Sequence, residues 1–179
     1  MTTRDSLCPR CPWLRNPDMA TQTNSAVDVL ADLIDALGSL DPNRAGALFA
    51  DDGTFEFPYA LPGMPKRVSG RTAVMKVLRG MVMFDRIELY DRDVHATDDS
   101  ELVFATFNSR AQLGGRPYAN RYICRARVRD GRILEYQEYF GPIPFVAAMP
   151  PHRRMTVLAL CALPTNVTSW LLKRKSKRS

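Results

Sequence analysis

The sequence predicts an α+β fold in which helices come first and a mostly antiparallel sheet follows. Apolar residues recur at helical spacing between residues 25 and 49, whereas residues 87–140 contain four alternating segments separated by turn residues. The chain has 179 residues, of which 45% are hydrophobic. This composition suits one globular domain with a single core and excludes collagen-like, disulfide-scaffold and wholly disordered classes.

The first helix is predicted over residues 25–38. Ser25 is a suitable N-cap, and Gly38 is a suitable residue just past the C-terminal end. Four apolar residues lie on one face at helical spacing: Val27, Leu30, Ile34 and Leu37. We therefore expect an amphipathic helix that packs on one face of the sheet.

A second, shorter helix is predicted to follow it. Asp41 and Pro42 have the pattern of an N-cap and a first-turn proline. We expect this helix to continue through Leu48 and Phe49 and to end before Asp51, because Asp-Asp-Gly is typical of a turn. Two helices therefore precede any strand.

A short strand, a loop and a third helix are predicted next. Residues 54–59 have strand-forming side chains, and residues 60–68 form a loop because the nearby prolines remove donors from a strand ladder. After Ser69, five apolar residues return to helical spacing: Ala73, Val74, Val77, Leu78 and Met81. The third helix is thus predicted between the first strand and the rest of the sheet.

The remaining strands form a meander. Turn residues occur at positions 98–100, 114–115 and 130–131. They separate four predicted strands, which cover residues 87–95, 101–113, 118–128 and 133–140. The predicted order of elements is ααβαββββ.

Two faces of very different character are predicted for the strand over residues 118–128, because side chains alternate along a strand. One face carries Asn120, Tyr122, Cys124, Ala126 and Val128, and the other carries Arg121, Ile123, Arg125, Arg127 and Arg129. The arginine row could bind an anion, but we favour a solvated face or an intersubunit salt-bridge surface. It carries no stacking aromatic residues, so it does not predict nucleic-acid binding.

The last strand is ambiguous. Leu134, Tyr136, Glu138 and Phe140 share one face, and Ile133, Glu135, Gln137 and Tyr139 share the other. Both faces mix polar and apolar residues. A short turn at residues 130–131 places Val128 across from Ile133 or near it, but alternation alone does not decide whether Glu138 or Glu135 faces inward.

The positive charge of the chain lies at its ends. The net charge is +6, yet residues 151–179 contain seven Lys and Arg and no acidic residue, whereas residues 19–150 contain 15 basic and 17 acidic residues. A body without excess positive charge does not predict a polyphosphate partner. We therefore expect no nucleic-acid binding.

The first 23 residues are interpreted as a disordered leader, because they are polar, contain prolines and lack periodicity. They show no secretory pattern, so we expect a cytoplasmic protein; Met19 is an alternative to Met1 as the start. Cys8 and Cys11 form a CxxC without a second ligand pair, so we expect no structural metal.

Residues 149–179 are predicted to form an apolar segment and a basic tail outside the domain. Residues 155–172 carry no charge, but Pro164 and polar neighbours interrupt a stretch that is barely long enough to span a bilayer. We expect a helix that lies on a surface or packs. Two alternatives stay open: packing against the body or a partner, which we favour, and weak contact with an anionic membrane surface.

Two segments carry a family resemblance: LFADDGTFEFPYALPGMPKRVSGRTAV at residues 48–74 and RPYANRYICRARVRDGRILEYQEYFGP at residues 116–142. Together they resemble the SnoaL-like polyketide cyclase branch of the nuclear transport factor 2-like superfamily, which also contains ketosteroid isomerases and phenazine-biosynthesis A/B proteins. The resemblance covers about residues 25–145. It implies a cone-shaped barrel of a strongly curved sheet wrapped around the N-terminal helices over residues 24–148, with a deep apolar pocket and a homodimer through the outer face of the sheet.

The resemblance gives a mixed set of site residues. The resemblance implies that Phe57 stands at the position of the isomerase catalytic aspartate. The helix tyrosine of the isomerases falls near Leu33, and their second oxyanion acid falls near Cys124. Steroid isomerisation by that mechanism is therefore not expected. The glutamate of the phenazine proteins is kept as Glu138, whereas their histidine position holds Val77.

Glu138 is the predicted acid/base residue, because a carboxyl group in an apolar pocket has a raised pKa. Asn120 and Tyr122 are predicted to hydrogen-bond a substrate oxygen. The predicted substrate-binding residues are Phe57, Tyr59, Met64, Phe107, Tyr136 and Phe140. A structural carboxylate is the alternative for Glu138, and His95 is interpreted as a surface residue.

Two functional hypotheses remain from the sequence. The first is a cofactor-independent isomerase or cyclase, or a lyase, that moves protons in a hydrophobic, polyketide- or terpenoid-like molecule of specialised biosynthesis. The second is a non-catalytic ligand-binding or assembly module, since the two isomerase acids are missing. We favour the enzyme. No phosphate-binding loop, dinucleotide fingerprint or HExxH motif occurs in the sequence, so no cofactor or catalytic metal is predicted.

Overall fold

The computed structural model describes residues 25–162. An open six-stranded sheet carries three helices early in the chain and two after the last strand. The helices are α1 (Ala26–Gly38), α2 (Pro42–Ala47), α3 (Arg71–Arg79), α4 (Pro142–Ala148) and α5 (Pro151–Ala162), with a 3₁₀ turn at Gly80–Met83. The strands are β1 (Phe49–Glu56), β2 (Arg67–Ser69), β3 (Phe84–Ala96), β4 (Leu102–Leu113), β5 (Arg116–Arg129) and β6 (Arg132–Phe140).

The sheet has the strand order β2-β1-β6-β5-β4-β3. Only the β1–β6 pair is parallel within residues 25–162, and the other neighbours are antiparallel. The predicted α+β class is confirmed, and the structure is compatible with the cone fold. The sheet is not closed into a barrel, however, because β2 and β3 remain as its two edges.

Helix α1 forms as predicted and anchors the helical layer. Ser25 and Asp28 make a reciprocal capping box, in which each side chain accepts a hydrogen bond from the other residue's backbone N–H. The face of α1 toward β3, β4 and β5 is fully buried and includes Val29, Leu30 and Leu33. Burial of such side chains stabilises the fold by about 1.5–3 kcal/mol each.

The predicted boundary between the second helix and the first strand is wrong. Helix α2 ends at Ala47, and Phe49 begins β1 instead of continuing the helix. The Asp-Asp-Gly sequence lies inside β1, where the register to β6 shifts between Phe49 and Thr54. Gly53 fits this irregularity because a Cβ there would lie 2.9 Å from the carbonyl oxygen of Ile133.

Smaller differences between the predicted and the observed elements occur in three other places. The end of the predicted loop forms the short edge strand β2, and the end of the third helix tightens into the 3₁₀ turn. Helix α4, which begins with Pro142, was not predicted. The leader at residues 1–23, including Cys8, Cys11 and Met19, and residues 163–179 lie outside the described residues.

A β-bulge resolves the ambiguity of the last strand. Arg127 pairs with Glu135, but the next residue, Val128, pairs with Ile133, so Leu134 is an extra residue in β6. The predicted grouping of faces is therefore wrong for Ile133, which is buried on the same side as Tyr136. From Tyr136 onward the alternation is regular, and Glu138 faces inward.

The arginine row of β5 lies on the outer face of the sheet, and three of its four arginines form ion pairs within the chain. Arg125 contacts Glu135 at 3.2 Å. Arg127 contacts Asp99 at 2.9 Å, and Arg129 contacts Glu101 at 2.7 Å. These pairs agree with a solvated salt-bridge face. His95 is also exposed and lies 3.1 Å from Asp93.

Candidate active site

A cavity of about 530 Å³ lies between the inner face of the sheet and the helices. The exposed lining residues, among them Lys76, Pro65 and Met83, mark its mouth at α3, the 3₁₀ turn and the loop before β2. Most lining side chains are apolar: Leu37, Phe55, Phe57, Met64, Val68, Val77, Leu78, Met81, Phe84, Ile87, Leu89, Phe107, Phe140 and Phe145. The cavity therefore suits an apolar small molecule.

Glu138 is the acidic side chain among the residues described as lining this cavity. It projects from β6 between Tyr136 and Phe140, whose side chains are buried on the same face. None of the lysines or arginines in residues 25–162 forms an ion pair with it. Burial raises the pKa of Glu138 to about 7, although a hydrogen bond from Tyr136 acts in the opposite direction. A group with this pKa can accept and donate a proton near neutral pH.

Two buried side chains form a hydrogen-bonded chain that ends at the Glu138 carboxylate. Tyr136 Oη donates a hydrogen bond to Glu138 Oε2 at 3.0 Å. Cys124 Sγ lies 2.9 Å from the same hydroxyl, and the thiol is the donor there because the phenol proton goes to Glu138. Tyr136 and Cys124 are fully buried, and burial raises the pKa of both well above their ordinary values. Both therefore stay neutral and orient the carboxylate.

Two tyrosine hydroxyls form the second polar feature of the cavity. Tyr118 Oη and Tyr122 Oη are 2.7 Å apart. Asn120 Nδ2 donates to Tyr118 Oη at 2.8 Å, and Ser109 Oγ donates to Tyr122 Oη at 3.4 Å. Desolvation by burial raises the pKa of Tyr118 and Tyr122, and the charge of Glu138 raises both further. These phenols remain protonated.

The hydrogen-bond pattern leaves a donor for a ligand. Both phenol oxygens already accept a hydrogen bond from a side chain behind them, and one phenol proton is used between Tyr118 and Tyr122. The other phenol proton has no acceptor in this set of hydrogen bonds and is available to a ligand in the cavity that both rings line. A buried donor beside a raised-pKa carboxyl group is the arrangement that stabilises a developing oxyanion during proton transfer.

The structure brings most of the predicted site residues together. Glu138 and Tyr122 line the cavity with four of the predicted substrate-binding residues, Phe57, Met64, Phe107 and Phe140. Three predicted residues lie elsewhere. Tyr136 is buried beneath Glu138, and the Tyr59 side chain is 61% exposed and packs against Tyr139 outside the cavity.

Asn120 lies behind the cavity wall. Its amide donates to the Gly141 carbonyl at 2.8 Å and accepts from the Gly141 backbone N–H at 3.0 Å, in addition to its bond to Tyr118. These bonds connect the end of β6 to β5. In this arrangement Asn120 positions the Tyr118 hydroxyl and does not point at a ligand.

Sequence reasoning missed several residues of the cavity wall. Tyr118 has the same strand parity as Asn120 and Tyr122, so alternation along β5 could have identified it. Phe145 comes from α4, which was not predicted, and packs against Phe140 and Tyr118. Phe55 precedes Phe57 by two residues and also faces the cavity.

The positions that hold polar groups in the isomerases and phenazine proteins are apolar or buried here. Phe57 and Val77 line the cavity as apolar side chains, and Leu33 is buried in the core. Cys124 lies beneath Glu138 rather than in the lining. Glu138 therefore lines the cavity without a second carboxyl group or a histidine in the described lining.

Comparison with known proteins agrees with this geometry. Residues 30–136 match the SnoaL-like domain. Over 108 residues the chain is 32% identical to the uncharacterised protein YesE of Bacillus subtilis, an alignment that covers 54% of this chain and 67% of YesE. It is 29% identical over 127 residues to an uncharacterised PhzA/B-like protein of Pseudomonas aeruginosa, covering 70% of this chain and 90% of that protein.

Solved structures share the fold. A Bacillus subtilis protein described as a candidate isomerase superposes with a TM-score of 0.65 at 28% identity, over 69% of this chain and 91% of that chain. Structures described as candidate polyketide cyclases, a ketosteroid isomerase-like protein and an epoxide hydrolase are similar at 16–23% identity. At that identity they show the fold alone.

Proposed function

This chain belongs to the SnoaL-like domain family, and from that premise we propose that its cavity binds an apolar carbonyl compound and isomerises or cyclises it by proton transfer. The family and fold support isomerase- or cyclase-type chemistry in general. The proposal of a particular mechanism depends on one observation: Glu138 faces an apolar cavity without a cationic partner among residues 25–162, and burial raises its pKa to about 7.

In the proposed reaction the Glu138 carboxylate removes a proton from the carbon next to the carbonyl group. The electron pair of the broken C–H bond moves to the carbonyl oxygen and forms an enolate. The phenol proton from the Tyr118–Tyr122 pair stabilises that oxygen by a hydrogen bond. Protonated Glu138 then returns the proton to a different carbon of the conjugated system. Alternatively, the enolate carbon attacks a second carbonyl group to close a ring, and Glu138 protonates the alkoxide that forms, which regenerates the carboxylate.

A second candidate function is supported by Phe57 and Cys124. These residues occupy the positions of the two isomerase acids, and the cavity is correspondingly apolar. A non-catalytic protein that only binds a hydrophobic ligand would keep the cavity and would not need Glu138 to exchange protons. The two functions therefore differ in what happens to the protons of a bound ketone.

Deuterium uptake at the carbon next to the carbonyl group tests the proposal. The probe is 2-tetralone, an apolar bicyclic ketone, followed by NMR in D₂O. We expect the wild-type protein to accelerate uptake and Glu138→Gln to reduce the acceleration by about 100-fold or more. Glu135→Gln is the matched control, because Glu135 lies on the same strand, is paired with Arg125 and does not line the cavity.

Equal uptake with wild-type protein and Glu138→Gln would overturn the acid/base role. If 2-tetralone binds to the wild-type protein without accelerated uptake, the ligand-binding function is favoured instead. Binding is followed independently by chemical shift changes of the probe.

A further inference from the structure

Helix α5 leaves several of its apolar side chains exposed, whereas Val157 and Leu160 are half-buried. No residue from 151 to 161 is buried, and Met155 and Leu158 are 65% and 49% exposed. From Met155 to Ala162 the helix carries one polar residue, Thr156. Within the described part of the chain it packs on α4. Water is a poor environment for such a helix, so this surface is suited to a partner.

The neighbouring helix α4 also exposes an apolar side chain. Ile143 on α4 is 80% exposed, the highest exposure among the large hydrophobic side chains of residues 25–162. Packing on α4 therefore covers part of α5 and leaves Met155 and Leu158 exposed. Contact of the exposed side chains with a partner and contact with a membrane surface are the two alternatives.

The charges around α5 favour a negatively charged surface. Arg153 and Arg154 lie in its first turn, and residues 173–178 add five further Lys and Arg, while residues 151–179 contain no Asp or Glu. Residues 19–150 contain more acidic than basic residues. The positive charge of residues 151–179 therefore favours contact with an anionic surface. Apolar side chains flanked by clustered Lys and Arg are the features that bind a protein to anionic bilayers.

We propose that α5 and the basic residues after it dock the protein on an anionic phospholipid bilayer. The apolar side chains of α5 enter the interface between headgroups and acyl chains, and the Lys and Arg residues contact lipid phosphates. No helix in residues 25–162 has the length and hydropathy needed to cross a membrane. No residue of α5 lines the cavity, so this proposal does not depend on the proposed function.

Sedimentation of the 179-residue protein with vesicles tests the proposal. One set of vesicles contains phosphatidylcholine alone, and the other contains 30% phosphatidylglycerol. We expect at least tenfold stronger partitioning to the anionic vesicles, which falls steeply between 0.05 and 0.5 M NaCl because salt screens the charges. Replacing the five Lys and Arg of residues 173–178 by Gln is expected to abolish this preference.

A second variant tests the apolar contact. Met155→Gln with Leu158→Gln is expected to weaken binding to anionic vesicles about tenfold and to leave the fold intact, because both side chains are exposed. The control replaces two exposed basic residues of the body, Lys66→Gln with Arg116→Gln, and is expected to bind like the wild-type protein.

Two results would overturn the proposal. One is equal partitioning to neutral and anionic vesicles. The other is the absence of vesicle binding together with a self-association of the wild-type protein that Met155→Gln with Leu158→Gln removes, which would mean that a second copy covers α5.

Discussion

The two faces of β5 and β6 place the same chemical groups in opposite environments. On the outer face, Glu135 and Glu101 are paired with arginines at 3.2 and 2.7 Å. On the inner face, Glu138 faces an apolar cavity and is hydrogen-bonded by the neutral Tyr136. Two carboxylates three residues apart on β6 therefore have different partners, because strand alternation sends them to opposite sides of the sheet.

The comparison teaches how one fold lowers the pKa of Asp99 and Glu101 on one side and raises the pKa of Glu138 on the other. Outside, the hydrogen bond from Arg129 lowers the pKa of Glu101, and the backbone N–H of Glu101, followed by Arg127, lowers the pKa of Asp99. Inside, burial raises the pKa of Glu138 to about 7. No arginine in residues 25–162 forms an ion pair with Glu138 that would offset the effect of burial on its pKa.

The largest expected effect is on how stability depends on pH. The folded protein binds the Glu138 proton more tightly than the unfolded chain does, whose glutamate pKa is 4.5. The resulting stabilisation is complete below pH 4.5 and is lost as pH rises through about 7. At 1.36 kcal/mol for each pH unit between these values, the free energy of unfolding falls by up to about 3 kcal/mol.

Urea unfolding between pH 4.5 and 8 measures this fall. We expect Glu138→Gln to remove most of it and Glu135→Gln to preserve it. Glu101 on the outer face has a lowered pKa, so its contribution is present above pH 4.5 and is lost only at more acidic pH. Parallel curves for wild-type protein and Glu138→Gln would show that Glu138 is charged in the folded protein throughout this range.

A smaller effect is expected from Tyr136→Phe. The change removes the hydrogen bond to Glu138 and leaves the Cys124 thiol without its acceptor. We expect a loss of about 1 kcal/mol in stability. The hydrogen bond from Tyr136 stabilises the charged form of Glu138, so its loss should raise the pKa of Glu138 further. The midpoint of the pH–rate profile for 2-tetralone should therefore move to higher pH.

Tyr139→Phe is the matched control for this variant. Tyr139 is the next tyrosine on β6, and its ring packs against Tyr59 rather than against Glu138. Tyr139→Phe should leave the midpoint of the pH–rate profile unchanged. A Tyr136→Phe profile that loses rate but keeps its midpoint would indicate that Tyr136 only fills space.

The inner face of β5 was predictable from the sequence, but that of β6 was not. Period-two alternation identified Tyr122 and Cys124 on β5, because no irregularity interrupts the pairing of β4 with β5. In β6 the bulge at Leu134 puts Ile133 and Tyr136 on the same side, a spacing of three that alternation forbids. Whether Glu138 or Glu135 faces inward depends on this one extra residue.

The residues of the cavity wall were also only partly predictable from the sequence. Alternation along β5 places Asn120 on the face of the strand that carries the site. Its side-chain amide is instead hydrogen-bonded to Gly141, which lies 21 residues further along the chain at the end of β6. No local pattern contains that long-range contact. The α+β class and the first helix were predictable because they depend on local capping and periodicity, as at Ser25.

The smallest expected effect comes from the outer face. Arg125→Gln breaks the ion pair with Glu135. We expect the free energy of unfolding in urea to fall by less than about 1 kcal/mol, because solvent screens a partly exposed pair. The difference should be smaller still in 1 M NaCl, because salt screens the pair further. A loss above about 2 kcal/mol that salt does not reduce would mean that this face is covered by another surface. A homodimer through the outer face, which the family resemblance predicts, would have that effect, and a matching concentration dependence of the unfolding midpoint would identify it.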